Sequence, residues 1–83
     1  GMLFVFEKEG KYVFWMKDML FPIDIIWIDK NFTVNHIETD LSRETYPKFF
    51  YPKDNILYVL EVLAGQASSS KINIGDTVKF IKK

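Results

Sequence analysis

The 83-residue chain has no cysteine, a single histidine, four glycines and three prolines. Without cysteine there can be no disulfide, no thiolate metal site and no cysteine nucleophile. The missing cysteine does not fix the compartment. One imidazole, His36, cannot build the usual histidine zinc site, so His36 reads as an exposed strand residue. An excess of one charge is missing too, because eleven basic residues offset eleven acidic ones. Nucleic-acid binders carry a basic surplus that neutralises phosphates, so no nucleic-acid partner is expected. The one basic cluster, Lys79, Lys82 and Lys83, reads as a solvated terminus. No apolar run approaches the ~20 residues that cross a bilayer, and no membrane span is expected. The chain opens on Gly1-Met2-Leu3-Phe4-Val5-Phe6, which has strand character and lacks the charged start of a signal peptide. No G-x-G-x-x-G or phosphate-binding loop is present, and no cofactor is expected. Ser68-Ser69-Ser70 lacks a nucleophile elbow and reads as a polar helix face.

What the chain has in quantity is apolar and aromatic area. Hydrophobic residues make up 48% of it and aromatics 17%. Large rings bury much area per residue, so one compact core is feasible in a single domain of this size. Strand signals fall at Met2 to Phe6, Tyr12 to Met16, Asp24 to Asp29, Thr33 to Thr39, Ile56 to Leu63 and Thr77 to Ile81. The polar, glycine-containing stretch Glu7 to Lys11 reads as a hairpin loop. Pro22 breaks the chain before Asp24. Asp24 to Asp29 is apolar throughout its centre, as when both faces of a strand are covered. Asp29-Lys30-Asn31 reads as a turn. Asp40 to Asn55 has two prolines and no clean period, and reads as a long ordered loop. Gly65 to Lys71 is expected to form one or two helical turns. The sum is a mostly β fold: an antiparallel β-sandwich or small open barrel of about six strands with one short helix.

Charged residues set among aromatics are the candidates for chemistry. Glu61 sits in the apolar strand Ile56 to Leu63, where a bare charge is costly. It needs a partner, with Lys17 the candidate cation, or a wet cavity. Asp24 and Asp29 differ by an odd number of positions and point to opposite faces of an ideal strand. Asp24 could instead meet Glu61 or Asp18 from a neighbouring strand. Paired carboxylates are the minimum for glycoside hydrolysis. Trp15 and Trp27 favour the core, though an aromatic wall beside Lys17 stays open. The ligand-binding candidates are Trp15, Lys17, Asp18, Asp24, Tyr58 and Glu61.

Four blocks occur in order: GMLFVF, FWMKDMLFPIDIIWID, YVLEVLAG and INIGD. Together they resemble family 192 of the domains of unknown function, over nearly the whole chain. The resemblance implies a mostly β, sandwich-like domain with one small helix and no established activity. It also implies an exported or membrane-associated setting. The matching residues are Trp15, Met16, Lys17, Pro22, Asp24, Asp29, Tyr58, Glu61, Gly65, Gly75 and Asp76. Asp18 stands where asparagine is usual. Phe32 replaces a common turn glycine, which leaves Asn31 to supply a left-handed residue. The family's upstream strand and R-x-x-G-L-M segment are absent, so the chain corresponds to the larger C-terminal part of that domain. An uncovered edge strand would invite self-pairing, hence a homodimer.

Three functional readings follow. The first is a non-catalytic module that binds a small polar ligand or a protein partner. The second is a structural or interaction domain with no ligand pocket. The third, ranked well behind, is a hydrolase using Asp24 and Glu61.

Overall fold

The computed structural model describes residues 1–17 and 19–80. Asp18, one of the candidate site residues, and Ile81 to Lys83 lie outside the described residues. The described residues form six strands in two antiparallel sheets. A four-stranded sheet runs in the order β1 (Met2–Gly10), β6 (Ile56–Leu63), β3 (Ile23–Ile28), β4 (Val34–Leu41). A two-stranded ribbon joins β2 (Phe14–Trp15) to β5 (Phe49–Phe50). One helix, α1 (Gln66–Ser69), follows β6. The sandwich-like, mostly β expectation holds.

The central strand β3 explains the layering. All six of its residues are buried, because each of its faces meets a separate core. Ile23, Ile25 and Trp27 pack with Met16, Phe50, Ile56 and Val59 beneath the β2–β5 ribbon. Ile26 and Ile28 point the other way, toward Val34, Ala67 of α1, Ile72 and Val78. The side-chain period of two thus divides one apolar run between two half-cores. No helix among the described residues is long and apolar enough to cross a membrane.

Several local expectations are corrected. Strand β1 runs on through Glu7 to Glu9 to end at Gly10. Its pairing with β6 slips between Val5↔Tyr58 and Gly10↔Ile56, so the polar stretch is a bulged strand and not a hairpin loop. Tyr12 does fold back, stacking on Phe6 at 3.7 Å between ring centroids, but β2 pairs with β5 and not with β1. The stretch Asp40 to Asn55 is more structured than a loop: Asp40 and Leu41 extend β4, Arg43–Thr45 form a 3-10 turn, and Phe49–Phe50 form β5. Phe50 is buried in the core and supplies the anchor. Within Thr77 to Ile81, the described residues form only an isolated bridge, Thr33↔Thr77. The bulge after Asn35 and the turn at Phe32 leave little straight strand for that segment to follow.

The turn after β3 keeps its initiator but moves its left-handed residue. Asp29 Oδ1 accepts hydrogen bonds from the backbone N–H groups of Asn31 and Thr33, both at 2.9 Å. Phe32, not Asn31, takes the left-handed conformation, with φ of 61°. The ring supplies the reason. In that position Phe32 stacks on Tyr58 at 5.2 Å and meets Phe80 edge-on at 5.7 Å, which offsets a backbone cost of about 1–2 kcal/mol.

Candidate functional site

Asp24 is completely buried and yet has no charged partner among the described residues. Its carboxylate accepts three backbone N–H groups instead. Oδ1 accepts from Asp40 at 2.9 Å, and Oδ2 accepts from Gly65 and Ala67, each at 3.0 Å. The sequence shows why this is needed. Ala64-Gly65 offers no side-chain oxygen to cap α1, so the orphan N–H groups of its first turn have no local acceptor. Asp24 reaches across from β3 and acts as a remote cap. Gly65, with φ of 93°, makes the left-handed entry that a side chain would oppose. Asp40, at φ 54°, bulges out of β4 so that its N–H can reach the same carboxylate. Asp24 therefore ties β3 to β4, to the turn after β6 and to α1.

Glu61 lies on the opposite face. It pairs with Ile25 of β3 and Met2 of β1, whereas Asp24 pairs with Val62. Cross-strand partners share a face, so Asp24 and Glu61 project to opposite sides of the sheet. An acid–base pair built from them is geometrically ruled out. No ion pair joins Glu61 to Lys17 among the described residues. Glu61 instead borders a shallow cleft of about 230 Å³ with Gly1, Met2, Ile23, Val62 and Leu63. Partial burial raises its pKa above the ordinary carboxylate value.

A folded-state pKa above the unfolded one means that the native state holds the proton longer. This contribution to stability is full below pH ~4.5 and is lost as pH rises through the raised value. Glu61→Gln is therefore expected to raise the thermal midpoint at pH 7 and leave it nearly unchanged at pH 4. An equal shift at both pH values would show that desolvation of the carboxylate is not the cause.

The other candidates are scattered. Lys17 is exposed beyond β2, with its Nζ 6.0 Å from the Trp15 ring centroid. Trp15 is 43% exposed on the outer face of the ribbon, stacked on Phe49 at 5.2 Å and tilted against Tyr46 at 5.0 Å. It is not core, unlike Trp27. Tyr58 lies on the α1 face with Phe32 and Phe80. Among the described candidates, only Trp15 and Lys17 come together.

A different group does converge. On β4, His36 and Glu38 sit two residues apart on the face that carries Trp27 and Ile25. His36 Nε2 is 2.9 Å from Glu38 Oε2, and the imidazole lies 5.6 Å from the Trp27 ring. Both residues are half-buried. They form one wall of an open groove of about 440 Å³ whose other wall is Lys48 to Lys53. That second wall is held firmly. Phe50 is in the core and Pro52 is buried. The Asn35 side-chain oxygen accepts the backbone N–H groups of Lys53 at 3.0 Å and Asp54 at 3.1 Å. Lys48 and Lys53 supply two cations, and Lys48 lies over the Phe50 ring at 5.3 Å. Phe49, which also lines the groove, carries Trp15 on its outer side. His36 is thus a paired, half-buried residue and not a solvated strand side chain. The spacing His36-Ile37-Glu38 was a usable signal, because i and i+2 share a strand face. No groups of three or more metal-ligating side chains occur among the described residues.

With this geometry in view, comparison with known proteins places the chain. A family model described as DUF192, Uncharacterized ACR, matches residues 1–80. The chain belongs to the DUF192 family. A comparison with curated proteins returns no match. Two crystal structures share the fold. One, from Sinorhizobium meliloti 1021, is described as that of a candidate transcription regulator; it is 27% identical with a TM-score of 0.85. The alignment covers 93% of this chain and 59% of that one. The other, a protein of unknown function from Novosphingobium aromaticivorans DSM 12444, is 26% identical with a TM-score of 0.88. It is matched over 95% of this chain and 56% of its own. The DUF192 chain thus spans less than three-fifths of either structure.

Proposed function

We propose that this DUF192 domain is a non-catalytic binding module, and that its ligand is a small polar molecule carrying negative charge. The supporting observation is the groove beside β4. A preformed, solvent-open cleft with aromatic walls and a few convergent polar groups is the usual character of a small-molecule site. Lys48 and Lys53 supply positive charge, and the His36–Glu38 pair offers an oriented imidazole between them and Trp27. Trp15 and Lys17 extend the aromatic, basic rim outward from Phe49. Asp24 and Glu61 take no part, since one is consumed by backbone donors and the other faces a separate cleft. The description of the S. meliloti structure as a candidate regulator is compatible with ligand sensing, and the chain's zero formal charge argues against direct phosphate-backbone binding.

Isothermal titration with inorganic phosphate, citrate and succinate tests this reading. At least one is expected to bind the wild type, and the doubly substituted Lys48→Ala/Lys53→Ala protein is expected to bind about tenfold or more weakly, the scale of a lost charge-assisted contact. Equal affinity in the two proteins, or no binding to either, would refute the site.

A further inference from the structure

The large sheet has two edges, and they differ. The β4 edge is interrupted. It carries register shifts at Asn35 and Asp40, and the N–H of Val34 is spent on the Asp76 carbonyl at 2.8 Å. Bulges and covering segments of this kind block edge-to-edge pairing. The β1 edge has such a bulge only in its second half, between Val5 and Gly10. Its first half, Met2 to Val5, pairs with β6 without interruption, and no strand among the described residues pairs with its other rim. Met2 is 57% exposed, Leu3 41% and Val5 64%. Leu3 and Val5 share a face with Tyr58 and Leu60, and with Phe32, Val78 and Phe80 they border an apolar groove of about 620 Å³.

We infer that this edge pairs with a second copy of the same chain, β1 against β1, in one defined register. Two antiparallel strands in a continuous sheet, related by a two-fold axis, must pair residues of equal parity, because the side-chain period is two. Few registers then remain. Centring the axis on Phe4 sets Met2 opposite the partner's Phe6, Leu3 opposite Val5, and Phe4 opposite itself. Every pair in that stretch is apolar. Centring on Val5 instead sets Met2 against Lys8 and Leu3 against Glu7. Centring on Leu3 loses the apolar partner of Val5. The register about Phe4 also draws on the regular half of β1, with Phe6 just past its end, and leaves Glu7-Lys8-Glu9 outside it. The two Leu3/Val5 strips then meet across the axis and lengthen the apolar floor that ends at Tyr58 and Phe80.

Size sets the strength. Five paired residues at ~3.4 Å rise make a seam only about 17 Å long and one strand spacing (~4.8 Å) wide, well short of the ~800 Å² per partner in a stable interface. The dimer is therefore weak and concentration-dependent.

Sedimentation equilibrium of the 83-residue chain across a concentration series tests the pairing. A reversible monomer–dimer equilibrium is expected. Val5→Lys, which places a charge on the edge, should raise the dissociation constant about tenfold or more. Phe21→Lys, at an exposed residue away from the edge, should leave it unchanged. Because the chain lacks cysteine, cross-linking reads the register independently of affinity. Mixed Leu3→Cys and Val5→Cys proteins should form a disulfide heterodimer, while either alone should not, since identical positions then lie two residues out of register, ~7–8 Å apart. A monomer at every concentration, a dimer indifferent to Val5→Lys, or cross-linking of Leu3→Cys or Val5→Cys to itself would each overturn the inference.

Discussion

Asp24→Ala is expected to cost on the order of 3–9 kcal/mol, because it leaves three backbone N–H groups without an acceptor and each such group costs about 1–3 kcal/mol. An 83-residue domain has roughly 4–12 kcal/mol in total at the usual ~0.05–0.15 kcal/mol per residue. The variant should therefore lose most of its stability, seen as a collapse of the urea midpoint. Asp24→Asn is the more telling comparison. It keeps the shape but replaces one carboxylate oxygen with a donor that faces a donor, so it should fall between wild type and Asp24→Ala. If Asp24→Asn matched the wild type in stability and lost only ligand binding, Asp24 would be a site residue and not a tie between segments.

Trp27→Ala should be comparably severe, about 3–5 kcal/mol, the scale for truncating a large buried aromatic. Trp27 is fully buried on the ribbon side of β3. Its Nε1 donates to the Tyr12 carbonyl at 3.1 Å, and its ring is in edge contact with Phe14 at 6.2 Å. Trp27→Phe retains much of the packing but leaves that carbonyl without its donor, at about 1–3 kcal/mol. Because His36 rests beside the same ring, Trp27→Phe should also weaken anion binding in the groove. Chemical denaturation and titration on the same protein separate the two effects. A loss of stability with unaltered binding would mean that Trp27 supports the core but not the groove.

The layering could be read from residues near in sequence. The unbroken apolar run from Ile23 to Ile28 required cover on both faces, and it has it. Asp29 announced its turn, and the parity of Asp24 correctly removed Asp29 as its partner. Pairing of distant residues was less legible. Nothing local in Ala64-Gly65-Gln66 says that its cap comes from Asp24, more than forty positions earlier. Register also decides which side of the sheet a carboxylate faces, and a strand alone does not reveal which neighbour it has. Asp24 and Glu61 therefore looked compatible until β3 and β6 proved adjacent with Ile25 opposite Glu61. The groove was hidden for a related reason. Lys48 to Lys53 has no periodicity, and only Phe50 in the core and the Asn35 hydrogen bonds bring it against β4.

In the proposed reading, charge recognition belongs to the β4 groove and not to the Lys17, Asp24 and Glu61 set. The most direct measurement is a ¹H–¹⁵N correlation map of the labelled protein titrated with inorganic phosphate and with citrate. Shifts should concentrate at His36, Glu38 and Lys48 to Lys53, with weaker effects at Trp15. Shifts confined to Asp24, Glu61 and Ala64 to Ser68, with the β4 groove unmoved, would contradict it.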